Sequence, residues 1–242
     1  MCGRFAQSKL DDALVEEFGI TGTSPESVLP ASWNIAPSRE IYIVRENALT
    51  GKRDLTTASW GMLGHWYKEL ATARAAQSHA INARCESVFE KPTFRESFRK
   101  RRCLIPADGY YEWATAFGPY KSKQPFYISR MDGSSLAFAG IWSEWVSELG
   151  EGLTSAAIIT HEAGGRLAEI HNRRPVFMPA ERWQEWLDPQ QREISELIPM
   201  MEYLHPLEGL TAHAVSVEVN SVRNNRSELI QPIALGEPET LF

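Results

Sequence analysis

Cysteine is scarce in this chain: Cys2, Cys85 and Cys103 are the whole supply. An odd, sparse set is a poor basis for a disulfide framework and fits a reducing compartment. There is no CxxC pair and no histidine-rich tract, so no metal or other cofactor is expected. No apolar run reaches the length of a membrane helix. The first residues lack the basic start and apolar core of a secretory signal, so the expectation is a cytoplasmic protein without a membrane partner. Positive charge is not in surplus either. A formal net charge of −6 argues against bulk electrostatic attachment to nucleic acid, while leaving room for a local basic groove. Repeats, low-complexity blocks and convincing linkers are absent.

What is present is ordinary globular material. The chain has 242 residues, 43% of them hydrophobic and 23% charged, enough to bury a sizeable core in one or two domains. Helical spacing of Leu10, Leu14, Val15 and Phe18 predicts a first helix, with Ser8 as its cap and Gly19 as its stop. Residues 20–33 read as loop, 41–44 and 56–62 as strands, and 65–80 as a surface excursion without clear periodicity. Thr93 to Glu96 matches a capping box before a short helix that ends in the basic run Arg99-Lys100-Arg101-Arg102. Strands are predicted at 103–105, 109–113, 126–130, 136–142, 156–160 and 212–217, and helices at 164–170 and 179–187. Strands spread from end to end favour an α+β class. The expectation is a single β-rich domain with a curved, barrel-like mixed sheet and flanking short helices. The domain is expected to span 2–233, with 234–242 as a frayed tail.

Four stretches concentrate chemistry. Cys2 directly follows Met1, and a small second residue usually permits removal of the first methionine. Trimming would leave a 1,2-aminothiol, which condenses with an aldehyde to close a thiazolidine ring; an ordinary terminal cysteine is the plainer reading. In Ile81-Asn82-Ala83-Arg84, the two-residue strand period puts Asn82 and Arg84 on one face. Asn82 could equally serve only to bond backbone. Glu112 lies in the aromatic strand Gly109-Tyr110-Tyr111-Glu112-Trp113, where desolvation raises a carboxyl pKa, unless an arginine pairs with it. His171 follows a predicted helix, where it is either a proton-transfer group or a cation on the helix dipole.

Together these stretches resemble the SOS response-associated peptidase (SRAP) family, the abasic-site processing proteins. The resemblance starts at Met1-Cys2-Gly3-Arg4-Phe5 and runs through Asn34-Ile35-Ala36-Pro37, Trp60-Gly61, Ile81-Asn82-Ala83-Arg84 and Glu86. It continues through 102–113, Gln124-Pro125-Phe126-Tyr127, Ala139-Gly140-Ile141-Trp142, Thr160 and Ile170-His171-Asn172-Arg173-Arg174-Pro175, closing at Val215-Ser216 and Val219-Asn220. It implies a curved β-sheet core, a basic groove for single-stranded DNA and a mature chain whose Cys2 bonds covalently to the opened sugar of an abasic site. It also implies that Cys2, Asn82, Glu112 and His171 form the active centre. The family name records a peptidase activity, read here as directed at the protein's own initiator methionine.

For binding, Arg4 and Arg84 are the expected phosphate contacts and Trp66 and Tyr67 the stacking surface or wedge, with Pro37 at the same mouth. The run 99–102 is a candidate extension of the basic track or simply a solvated face. The expected partner is single-stranded DNA containing abasic sites, bound by a monomer that associates with the nucleoid during DNA damage. One departure stands out: family members often carry proline where this chain has Gly64, in Trp60-Gly61-Met62-Leu63-Gly64-His65-Trp66. Two other readings remain open, a cysteine-type peptidase and a non-catalytic single-strand DNA binder.

Overall fold

The computed structural model describes residues 2–64, 66–115, 120–121, 123–147, 150, 152–202 and 209–235. The tail expected at 234–242 lies mostly outside them. In chain order the elements are β1 (Phe5–Gln7), α1 (Asp11–Glu17), β2 (Ser32–Ile35), β3 (Glu40–Glu46), β4 (Arg53–Trp60), α2 (Leu70–Gln77) and β5 (Asn82–Arg84). Next come α3 (Arg95–Lys100), β6 (Arg102–Ala107), β7 (Gly109–Trp113), β8 (Pro125–Arg130), β9 (Leu136–Val146) and β10 (Gly152–Glu162). The last are α4 (Gly165–Ala168), β11 (Arg173–Pro175), α5 (Trp183–Leu187), α6 (Ile194–Glu202) and β12 (Leu210–Ala214).

Two sheets carry the fold. One has the order β12-β8-β7-β1-β2 and is antiparallel throughout. The other runs β11-β10-β4-β3-β6-β9, and a further β9–β10 pairing closes β10, β4, β3, β6 and β9 into a barrel. Its pairings are mixed, because β10 runs parallel to both β4 and β5. This is the α+β, β-rich, barrel-like architecture expected from the sequence.

Alternation along β3 shows how the two cores arise. Tyr42 and Val44 join a cluster with Leu14, Phe18, Phe98, Trp186 and Met200 from the helices. Ile41 and Ile43 join a second cluster with Phe5, Tyr110 and Phe126 from the five-stranded sheet. The second cluster also contains Cys2, which is fully buried. Close packing of the strands has a sequence cost at Gly109, where a Cβ would lie 2.4 Å from the Tyr127 ring and 2.6 Å from the Ile128 carbonyl.

Several expectations need correction. The N-cap of α1 is Leu10, with no side-chain cap, and the Ser8 N–H instead donates to Asp108 Oδ2. The stop at Gly19 is found, with φ +61°. Phe94 caps α3, so Thr93 does not close a capping box. Residues 70–77 form α2 rather than an irregular excursion. Its inward face is Ala73 and Gln77, and Gln77 Nε2 donates to Ser59 Oγ at 2.7 Å and to the Gly61 carbonyl at 2.9 Å. A face built from alanine and glutamine gives no apolar periodicity to read. The final strand sits at 210–214, earlier than predicted, and β2 occupies the end of the segment read as loop.

Arg102 is not part of any exposed basic track. It is 3% exposed, and its guanidinium donates to the carbonyls of Trp186, Phe98, Arg99, Asp188 and Gln191. Five backbone acceptors lose their donor if this side chain is removed. Arg102→Met should therefore cost about 3 kcal/mol through buried carbonyls left unpaired. A thermal melt should show a drop of roughly 10 °C for a chain of this size.

Candidate active site

Strand pairing brings Cys2, Asn82 and Glu112 together, and a backbone hydrogen bond ties the residue before His171 to the end of β7. β1 pairs with β7 through Phe5 opposite Tyr110, and the Tyr111 N–H donates to the Arg4 carbonyl at 2.9 Å. Extending that antiparallel register sets Glu112 across from the Cys2-Gly3 stretch. β5 reaches the same point from the barrel, pairing in parallel with β10 through Asn82 opposite Ile158. Asn82 Nδ2 donates to the Cys2 carbonyl at 2.8 Å. The indole of Trp60, edge-on to Phe5 at 4.9 Å, donates to the Ile81 carbonyl at 3.1 Å and so ties β1 to the start of β5. Just past β7, the Thr115 N–H donates to the Ile170 carbonyl at 3.0 Å, holding the residue before His171 against the end of that strand.

Burial governs the ionisation of these groups. The Glu112 carboxyl, 4% exposed, is pushed up to about 7 by desolvation. The Cys2 thiol is raised far above its ordinary value, chiefly by burial and then by neighbouring Glu112. His171 is half-buried and its pKa is lowered, again mainly by desolvation. At neutral pH the site thus holds a thiol, a neutral imidazole and a carboxyl near its midpoint. Asn82 Oδ1 is buried and has no hydrogen-bond partner among the described residues, so one acceptor remains available to a ligand beside Cys2.

The expected binding residues differ in exposure and in how firmly they are held. Arg84 is exposed at the end of β5, and alternation leaves it on the Asn82 side while Ala83 is buried. Arg4 is half-buried. Its Nη1 donates to Asn34 Oδ1 at 2.7 Å and to the Val219 carbonyl at 2.8 Å, and its guanidinium lies 5.9 Å from the Trp113 ring centroid. Both hydrogen-bond partners are neutral, so Arg4 is held in place with its charge intact.

Trp66 is 48% exposed and sits 5.7 Å from the Tyr67 ring, whereas Tyr67 packs on the cluster of Leu63, Ala73 and Trp145. The departure at Gly64 has a local reason. A Cβ there would lie 2.4 Å from the Trp66 ring, so glycine lets the indole rest on the backbone. Pro37 is partly exposed beside Ser38, whose N–H donates to the Trp60 carbonyl at 2.8 Å. Among residues given no role by the sequence, Glu86 and Arg173 form a forked ion pair next to this centre, at 2.5 and 3.0 Å. Both lie within the stretches that carry the family resemblance, two residues beyond Arg84 and His171, but nothing local in the sequence pairs them.

Comparison with known proteins identifies the family. The family model described as SOS response associated peptidase (SRAP) matches residues 1–222. The chain belongs to the SRAP family. It is 34% identical over 231 residues to the abasic site processing protein YoqW of Bacillus subtilis, covering 96% of this chain and 99% of that one. It is 29% identical over 276 residues to the abasic site processing protein HMCES of Rattus norvegicus, covering 97% of this chain and 77% of the relative. A crystal structure from Bacteroides thetaiotaomicron shares the fold with a TM-score of 0.82 at 22% identity, over 96% of this chain and all of that one. One from Bordetella bronchiseptica aligns with a TM-score of 0.73 at 26% identity, over 89% of this chain and all of that one.

Proposed function

We propose that this protein processes abasic sites in single-stranded DNA by covalent capture, using Cys2 as its mature first residue. The observation that carries the reading is the convergence of Cys2, Asn82 and Glu112 at the sheet end, beside the start of β1. The names of the relatives, abasic site processing proteins, supply the substrate class.

An abasic sugar is mostly closed hemiacetal, with a little free aldehyde. Glu112, poised near neutrality, can give and take the protons that open it. The α-amine of Cys2 attacks the aldehyde carbon, having a reference pKa of about 7.7–8.0 and so a usable neutral fraction. Proton donation to the departing oxygen, assigned to His171, releases water and leaves an iminium. The Cys2 sulfur then attacks that same carbon while Glu112 carboxylate accepts the thiol proton. One C–N and one C–S bond form, one molecule of water leaves, and no oxidant is needed. Both nucleophiles belong to one residue, so ring closure is intramolecular. Asn82 holds the Cys2 backbone through Nδ2 and offers Oδ1 to the amine or a sugar hydroxyl. Arg4 and Arg84 contact phosphates, while Trp66, Tyr67 and Pro37 form the mouth.

The test is capture on a denaturing gel. Mature protein should give a heat-stable shifted band with an abasic single-stranded oligonucleotide and none with the undamaged strand. Capture should weaken steeply as salt rises, reflecting the phosphate contacts. Equal non-covalent binding to both strands without a stable band would favour the plain binder. Cleavage of unrelated peptides would favour a cysteine-type peptidase.

A further inference from the structure

Arg173 opens β11 with its guanidinium fixed on two sides. Nη1 and Nη2 donate to the two carboxylate oxygens of Glu86 at 2.5 and 3.0 Å, and Nη2 also donates to the Thr160 carbonyl at 2.6 Å. The same residue touches His171 through its backbone: the Arg173 N–H donates to Nδ1 at 3.0 Å. A backbone N–H can only donate, so this contact, the shorter of the two at Nδ1, is satisfied when Nδ1 is bare and the proton of the neutral ring sits on Nε2. The longer contact from Nδ1 to the Arg173 carbonyl, 3.3 Å, would need the opposite protonation.

The surrounding backbone makes this a frame rather than a lone contact. The His171 N–H donates to the Leu167 carbonyl at 3.0 Å, the Ala163 N–H to the Asn172 carbonyl at 2.9 Å, and Arg173 pairs with Glu162 of β10. The Arg173 side chain is only 14% exposed. Without its carboxylate, a cation so placed gains by swinging out to water, and in so short a strand that swing strains the backbone frame which sets the Arg173 N–H against Nδ1.

We propose that Glu86 and Arg173 are positioning residues for His171: their ion pair fixes the start of β11 so that the Arg173 N–H holds Nδ1, leaving Nε2–H as the proton donor of the site. What that proton is used for rests on the capture chemistry above; the tautomer itself does not. Arg173 keeps the Glu86 carboxyl down at about 2, so the clamp stays charged across the working pH range.

The experiment is a long-range proton–nitrogen spectrum of protein labelled with nitrogen-15 in its histidines, with His171 assigned by its loss in His171→Gln. Wild type should show bare Nδ1 and protonated Nε2. Glu86→Gln, with its amide spectrum otherwise preserved, should show a mixture of tautomers. Its capture rate should fall roughly tenfold, with Glu86→Asp recovering part of it. Should Glu86→Gln fail to fold, Arg173→Lys, which keeps the charge and backbone N–H but loses the fork, should show the same mixture. A wild-type ring protonated on Nδ1, or a tautomer untouched by these substitutions, overturns the proposal. Failure of wild-type protein to capture abasic DNA would sink the functional reading instead, and the spectrum would still decide the tautomer.

Discussion

Replacing Cys2 with serine, in protein trimmed of its first methionine, is expected to abolish heat-stable capture of abasic DNA while leaving a labile adduct. The α-amine survives in this variant and still attacks the aldehyde. What is lost is the sulfur that closes the ring. The hydroxyl is a far weaker nucleophile, and the five-membered ring it forms opens readily. The arrested iminium then has two exits, hydrolysis and β-elimination. Heat-stable product should drop on the order of 100-fold, the scale on which losing one well-placed intramolecular nucleophile acts. Reduction with borohydride should recover the band, because it converts the imine to a stable amine. Cleaved strand should accumulate in its absence. A serine variant whose adduct survives heating as well as wild type would remove sulfur from the mechanism.

Glu112→Gln is expected to move activity and stability in opposite directions. The amide cannot exchange protons, so the capture rate should fall by about 10²–10⁴-fold, the usual contribution of general acid–base catalysis. Stability should rise, and the sign follows from linkage. Burial lifts the folded-state pKa from 4.5 to about 7. Below 4.5 both folded and unfolded chains hold the proton, and Glu112 adds no pH dependence. Between the two values the folded state keeps a proton that the unfolded state has released, so wild-type stability falls as pH rises. Above about 7 both forms are ionised and the full penalty of burying the carboxylate remains. At about 1.4 kcal/mol per pH unit the penalty is about 3 kcal/mol. The glutamine variant, free of it, should melt roughly 5–10 °C above wild type at pH 8, with the gap closing near pH 4. Equal melting temperatures at both pH values would place Glu112 in a more polar setting than its burial indicates.

Much of this fold is legible in the sequence. The central strands were readable because Ile41 to Val44 and Leu136 to Trp142 combine β-branched and aromatic residues in runs that suit no surface helix. The stretches around Cys2, Asn82, Glu112 and His171 each admit a plain structural reading, and only the resemblance to the SRAP family groups them into one candidate site; the contact between Asn82 and the Cys2 carbonyl, across 80 residues of chain, is invisible to any local pattern. Illegible parts share a physical cause: the pattern was the same for two outcomes. The run 99–102 looks alike whether solvated or folded inward, and only the carbonyls gathered around Arg102 decide. The alanine-rich α2 buries a face that hydropathy does not mark. Gly64 is a bare departure from the family pattern in the sequence, and only the Trp66 ring lying against it supplies a reason. The Glu86–Arg173 pair joins residues far apart in sequence, which no local pattern reports.

The most direct test of the central claim is the mass of the N-terminal tryptic peptide from a captured complex, after nuclease removes the flanking DNA. Cleavage after Arg4 releases Cys2-Gly3-Arg4. The account predicts that the sugar remnant rides on this tripeptide, that Met1 is gone, and that a thiol-alkylating reagent does not add to it, since the sulfur is a thioether in the ring. A remnant on any other peptide, a retained methionine, or a Cys2 thiol that still alkylates would contradict it.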